Sequence, residues 1–325
     1  MDLKSKESPK ILIDFLNYLS AIKGYSLNTI NNYYSDLMLY FKFLKEYLKI
    51  EVDIKEFNIF ILANVKEHII IAFLVYLNYY RDNTAQTRQR RLSSVRTFYK
   101  WLFSNYPPFN TQENPTIHIP NIESVIRLPK YLNLEQAKKI QTIFTKDNSK
   151  FPYRNNMIIT LFLHTGVRLS ELINIDIKDI DFKKNIIRIK GKGNKERTVY
   201  IDKILRKKLK QYLNIRNKNK KVISITDALF ISYHGKRIGH RGIGDICRQA
   251  YSLMGLSECG YTTHTLRHTA ATLIYKQTKD LFILKEFLGH AQLSSTEIYT
   301  NVVNDEIKEA VDKNPLNKIS FEKVA

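Results

Sequence analysis

Between Thr165 and Thr300 the chain carries two arginines, two histidines, a lysine and a tyrosine in contexts that suit a single kind of chemistry. Arg168 lies in Thr165-Gly166-Val167-Arg168-Leu169-Ser170-Glu171-Leu172, and Lys192 in Gly191-Lys192-Gly193-Asn194-Lys195-Glu196-Arg197. His264-Thr265-Leu266-Arg267-His268 follows, then Leu288-Gly289-His290, with Tyr299 nine positions beyond His290. A tyrosine oxygen can attack a phosphodiester and store the broken bond as a tyrosyl phosphate. Arginine forks suit the non-bridging oxygens on which negative charge develops. The mobile ammonium of Lys192 could protonate the departing oxygen, whereas Lys190, Lys195 or Arg197 could instead bind the nucleic acid backbone. His264 and His290 fit hydrogen-bonding or acid–base roles, against the plainer alternative of two histidines satisfied in a core. His268 projects elsewhere on its helix and is expected to give support. For Arg168 the competing reading is an ion pair with Glu171, one helical turn away.

These groups need elements to hold them, and the composition says what kind. With 325 residues the chain can form two domains with real cores or one large one. Its hydrophobic fraction of 44% and charged fraction of 26% are ordinary for a globular protein, but a formal charge of +21 is not. Neutralising phosphates is the commonest reason for such an excess, the plainer alternative being a solvated face of a Lys- and Asn-rich protein. The opening Met1 to Ser8 is not followed by an apolar run with a small-residue cleavage site, and no signal peptide is expected. The longest apolar stretches, such as Ile69 to Val75, are too short to cross a bilayer. Two cysteines make no disulfide framework, and scattered histidines give no zinc-ligand spacing. A cytoplasmic, DNA-associated protein without metal or cofactor is expected; a metal-dependent nuclease would need a carboxylate cluster that the motifs lack.

Residues 9 to 105 read as helical throughout. Apolar side chains recur at three- and four-residue intervals from Ile11 to Leu19, and Ser26 can cap a long helix with Ile30, Tyr33, Leu37, Tyr40, Phe41 and Leu44 on one face. A third helix is expected over Val65 to Tyr80. A fourth starts near Thr84 and combines an apolar stripe through Leu92, Val95, Phe98, Tyr99 and Leu102 with Arg88, Arg90, Arg91, Arg96 and Lys100. Such a helix could pack on its domain while touching phosphates; a merely solvated cationic face is the alternative. The helical pattern fails at Asn105-Tyr106-Pro107-Pro108, and Pro115, Pro120 and Pro129 follow, as in an extended linker. Beyond it, Asn133 and Gln136 form a capping box, and a helix covers Arg154 to Leu163. Residues 185–190 and 197–201 alternate as two strands of a hairpin with Lys192 at its tip. Helices resume over Leu205 to Leu213, Gly242 to Met254, Thr265 to Tyr275 and Leu281 to Phe287.

On these residues the chain resembles the tyrosine recombinase, or phage-integrase-like, family, and within it the bacterial Xer-type site-specific recombinases. Arg168 matches the first arginine of the family, Lys192 the hairpin lysine, His264 and Arg267 the histidine-x-x-arginine pair, His290 the later histidine and Tyr299 the nucleophile. Glu171 matches an acidic position of the catalytic core. The resemblance implies a mainly α two-domain protein. It would have a SAM-like helical core-binding domain over residues 1–110, a linker over 111–130, and an α-helical catalytic domain with a small β-hairpin over 131–325. It implies cleavage and rejoining of duplex DNA through a 3′-phosphotyrosyl link, without a cofactor. It also implies a homo- or hetero-tetramer on two DNA sites, with a C-terminal tail docked cyclically on the neighbouring protomer and a second recombinase or regulatory protein as a further partner. Chromosome dimer resolution is the expected role. The alternatives are an integrase or resolvase of a mobile element, a type IB topoisomerase and a catalytically inactive DNA-binding module.

Overall fold

The computed structural model describes residues 7–106, 113–123, 129–191, 196–218 and 226–289. The chain divides into two compact units, Met1–Ile126 and Arg127–Ala325, each around its own apolar core.

In the first unit α1 (Lys10–Ala21), α2 (Leu27–Tyr47), the short α3 (Ile59–Ala63), α4 (Glu67–Tyr79) and α5 (Ala85–Asn105) follow one another. The starts of α2 and α5 are set by hydroxyls: Ser26 accepts from the Thr29 N–H at 3.4 Å, and Thr84 from the Thr87 N–H at 3.3 Å. The faces expected from periodicity are buried, with Phe15, Leu37, Tyr40, Phe41, Phe73, Phe98 and Tyr99 essentially inaccessible. Each such side chain contributes roughly 1.5–3 kcal/mol by leaving water. The Tyr40 and Tyr99 hydroxyls satisfy one another at 3.1 Å, and burial raises both phenol pKa values. After α5 the described part of the proline-broken stretch lies along that helix. The Ile122 N–H donates to Gln89 Oε1 at 2.6 Å, Arg96 donates to Asn121 Oδ1 at 2.6 Å and to the Ile119 carbonyl, and Ile119 is buried.

The second unit comprises α6 (Leu134–Ile140), α7 (Pro152–Thr165), α8 (Leu169–Asn174), a three-stranded antiparallel sheet, α9 (Lys203–Lys218), α10 (His240–Leu253), α11 (Thr263–Thr278) and α12 (Leu281–Leu288). The expected capping box at Asn133 and Gln136 is formed. Helix α7 is the buried spine, with Ile158, Ile159, Leu161 and Phe162 in the core and α9 and α11 packed on it. The sheet runs β1 (Ile180–Asp181), β2 (Ile186–Lys190) and β3 (Glu196–Tyr200). Its register sets Ile187 opposite Val199 and Ile189 opposite Arg197. Strand alternation then turns Ile187, Ile189, Val199 and Arg197 inward, while Arg188 and Lys190 face out. Helix α3 lies within the stretch expected to be helical but was not set apart as a separate helix, and strand β1 was not expected from the sequence. Among the described residues no helix is long and apolar enough to cross a membrane.

Candidate active site

Helix α7 ends on Gly166 in the left-handed conformation, φ 57°, and the chain restarts as α8 three residues later. A Cβ at Gly166 would lie 2.8 Å from the Phe287 ring and 3.2 Å from Leu288, so the glycine lets the end of α12 close on this turn. Arg168 is the extended residue before α8, and Glu171 reaches back to accept its backbone N–H at 2.7 Å. The turn thereby presents the Arg168 side chain at a helix start, half-exposed.

Arg267 arrives from α11. It is only 6% exposed, and it donates to the Gly166 carbonyl and, at 2.8 Å, to the Leu288 carbonyl. It thus joins the C-terminal ends of α7 and α12, where carbonyl groups aim partial negative charge at a cation. Arg168 approaches the next carbonyl, that of Gly289, at 3.5 Å. The two arginines read from separate motifs therefore meet at consecutive backbone carbonyls.

Glu171 anchors one side of this arrangement. It is 3% exposed and accepts four hydrogen bonds: the Arg168 N–H at 2.7 Å, Arg168 Nη1 at 2.9 Å, and Arg197 Nη1 and Nη2 at 2.6 and 2.8 Å. Burial opposes its ionisation, but the hydrogen bonds from Arg197 and Arg168 hold its pKa down to about 2. It is a carboxylate throughout the physiological range.

His264 is exposed at the start of α11, one turn before Arg267, and its N–H donates to Thr262 Oγ1 at 3.3 Å. His268 is half-buried. Burial, reinforced by His264 and the Arg267 charge, lowers its pKa to about 4, leaving a neutral imidazole. Lys192, Lys195, His290 and Tyr299 lie outside the described residues.

Of the side chains expected on DNA, Lys190 and Lys100 are exposed. Arg88 donates to Asn78 and, at 3.0 Å, to the Asn83 carbonyl. Arg90 forks onto Asp36, with Nη2 at 2.8 Å; Asp36 is 2% exposed and also accepts from Ser94 at 2.8 Å. Arg91 lies 3.7 Å from the same carboxylate, and burial lowers its pKa. Arg96 is held by Asn121 and Ile119 as described above. Arg197 is turned inward onto Glu171. Its inward parity was legible in the alternation with Val199, but its partner, 26 positions earlier, was not.

A model of the phage integrase family matches residues 130–306, and a model of the phage integrase N-terminal SAM-like domain matches residues 12–105. The tyrosine recombinase XerC of Caldanaerobacter subterraneus subsp. tengcongensis is 36% identical over 97% of this chain and 90% of its own length. The tyrosine recombinase XerD of Oceanobacillus iheyensis is 31% identical over 91% of this chain and 95% of its own. Among solved structures, the XerH site-specific recombinase in a post-cleavage complex with palindromic difH substrate superposes with a TM-score of 0.72 at 25% identity, covering 93% of this chain and 83% of XerH. The Tn1549 transposon integrase bound to transposon right end DNA shares the fold, with a TM-score of 0.67 at 15% identity over 93% of this chain and 98% of its own. Family models spanning both units, and relatives alike over nearly the whole length, carry one conclusion: the chain belongs to the phage integrase family of tyrosine recombinases and is closely related to its Xer-type members.

Proposed function

We propose that the chain is a site-specific recombinase that cuts and rejoins duplex DNA through a 3′-phosphotyrosyl intermediate, in the role of Xer-type chromosome dimer resolution. The observation that carries this is the meeting of Arg168 and Arg267 at the Leu288 and Gly289 carbonyls. The chain continues directly from there to His290 and, nine positions on, to Tyr299. In the proposed reaction the Tyr299 oxygen gives up its proton and forms a bond to phosphorus. The bond to the 5′ oxygen breaks, and that oxygen takes a proton from Lys192. Arg168 and Arg267 present fixed donors to the non-bridging oxygens, and His264 and His290 supply further hydrogen bonds or proton transfer. Reversal of the same steps with a different 5′ hydroxyl rejoins the strand and completes the exchange. The likeness to XerC and XerD over nine-tenths or more of the chain supports the dimer-resolution role and a tetramer on two DNA sites.

The test is covalent capture on a nicked duplex bearing the dimer-resolution site of the source chromosome, in excess chelator. The wild-type chain should leave a protein–DNA band on a denaturing gel, and Tyr299→Phe should leave none. A band that survives in Tyr299→Phe overturns the nucleophile. Cleavage at mobile-element ends but not at the chromosomal site overturns the role while leaving the chemistry.

A further inference from the structure

Glu171 is shared by two arginines, and the reaction as proposed uses only one of them. Arg197 stands on β3 opposite Ile189, turned toward the core, with its side chain 17% exposed. Its fork is bidentate on the carboxylate, at 2.6 and 2.8 Å, against the single Arg168 Nη1 contact at 2.9 Å. Bidentate geometry fixes the carboxylate plane and hence the direction from which Arg168 is held. Charge follows the same pattern. One arginine and one carboxylate would form a neutral pair and spend the charge of Arg168. Two arginines on one carboxylate leave a surplus positive charge for an incoming anion.

The side chain has a second contact. A Cβ placed at Gly289 would lie 2.5 Å from Arg197 Cδ and 2.8 Å from its Nε, and Gly289 has a φ of 61°. The aliphatic part of Arg197 therefore lies across the backbone whose carbonyl Arg168 approaches at 3.5 Å. One residue of β3 thus touches both supports of Arg168, the carboxylate and the glycine.

We propose that Arg197 is a positioning residue: it locks Glu171 and the Gly289 backbone so that Arg168 keeps both its direction and its charge for the scissile phosphate. This rests on the reading above, in which Arg168 serves that phosphate. A surface arginine that merely gripped DNA would have neither the burial nor the two-pronged bond to a buried carboxylate.

The experiment measures covalent-complex formation by the full-length chain on three nicked duplexes: the natural phosphodiester, a methylphosphonate at the scissile position, and a substrate with sulfur as the 5′-bridging atom. Arg197→Met should slow cleavage of the phosphodiester about 10²-fold, the scale of a misplaced catalytic group. The methylphosphonate removes the charge that Arg168 meets, so the deficit should shrink there. The sulfur leaving group needs little protonation and should not relieve it. Adding Glu171→Gln to Arg197→Met removes the carboxylate charge that would neutralise Arg168, and should restore part of the rate. Binding to the intact site and the unfolding midpoint report whether each variant is folded, and the double variant, with no unpaired carboxylate, keeps the question open if Arg197→Met is not. Cleavage by Arg197→Met within about twofold of wild type overturns the proposal. So does relief by sulfur alone, which would place the defect at the leaving group, or failure of Glu171→Gln to restore any rate. Arg168→Ala cleaving normally would overturn the underlying reading of the site instead, whatever Arg197 does.

Discussion

In the first unit, Arg88, Arg90 and Arg96 find their partners within one helical bundle, on Asn78, Asp36, Asn121 and nearby carbonyls. In the second, Arg168, Arg197 and Arg267 come from three separate segments onto one carboxylate and two helix ends. The residue type is the same, and distance along the chain does not separate the two sets, since Arg90 and Asp36 are 54 positions apart and Arg197 and Glu171 only 26; what differs is how much water reaches the pair. Arg90 remains 49% exposed, so its ion pair is screened, whereas Arg267 is enclosed and bonds carbonyls that no solvent competes for. A basic stripe on a helix therefore does not distinguish arginines that brace the bundle from cations left for a phosphate.

The largest effect that would sharpen this contrast lies in the second unit. Arg168→Ala and Arg267→Ala should each reduce covalent-complex formation by about 10²–10³-fold, the cost of losing one transition-state donor. Only Arg267→Ala strips the Gly166 and Leu288 carbonyls of a donor, and it should also cost about 1–3 kcal/mol of stability. Urea unfolding of both variants separates the two effects. Equal destabilisation would break the distinction between a bracing and a presented arginine within the site.

A middle-sized effect is expected in the first unit. Arg90→Met leaves the buried Asp36 carboxylate with poorer compensation and should cost about 1–3 kcal/mol, read as a lower denaturant midpoint. It should hardly alter the salt dependence of DNA binding. Lys100→Met, at an exposed position, should do the reverse and reduce the log–log salt slope by about 0.9 if that lysine meets a phosphate. A slope change in Arg90→Met without loss of stability would put that arginine on DNA and remove the difference between the two units.

The smallest effect concerns pH. Burial holds His268 down to about 4, so as pH falls the unfolded chain takes up a proton first. Its contribution is complete above the ordinary histidine range, near ~6.5, and is lost as pH falls from there toward about 4. Between pH 7.5 and 6 the loss should stay under about 1 kcal/mol. His268→Asn should flatten that part of the stability profile, and a stability that rises on acidification in this window would reverse the assignment.

Elements decided by local physics were legible from local signals. Ser26, Thr84 and Asn133 cap the helices they were expected to start, and the alternation of residues 186–190 and 196–200 forms the ladder. Helix α3 was not set apart within the stretch read as helical, because five residues carry too little periodicity to mark the ends of a separate helix. Strand β1 was missed because two residues acquire strand character only by pairing with β2. In the site, Arg168, Glu171 and Arg267 stood out by their motifs. The joining of Arg267 to Gly166 and of Arg197 to Glu171 was invisible, since those bonds depend on which segments the core brings together.

The bond from Arg168 to the Gly289 carbonyl spans 121 positions, and that from Arg267 to Gly166 spans 101. During synthesis at ~5–20 residues per second, the wait between making Arg168 and making Gly289 is roughly 6–24 s. Through that interval Arg197 and then Arg267 are added to the ribosome-bound chain, yet the last helix end that gathers them does not exist. A copy truncated before Leu288 would remain in that state permanently, with the charges present and their arrangement absent. Translation order thus acts as a timer: the arrangement of Arg168 and Arg267 proposed to serve strand breakage can form only once Leu288 and Gly289 have been made.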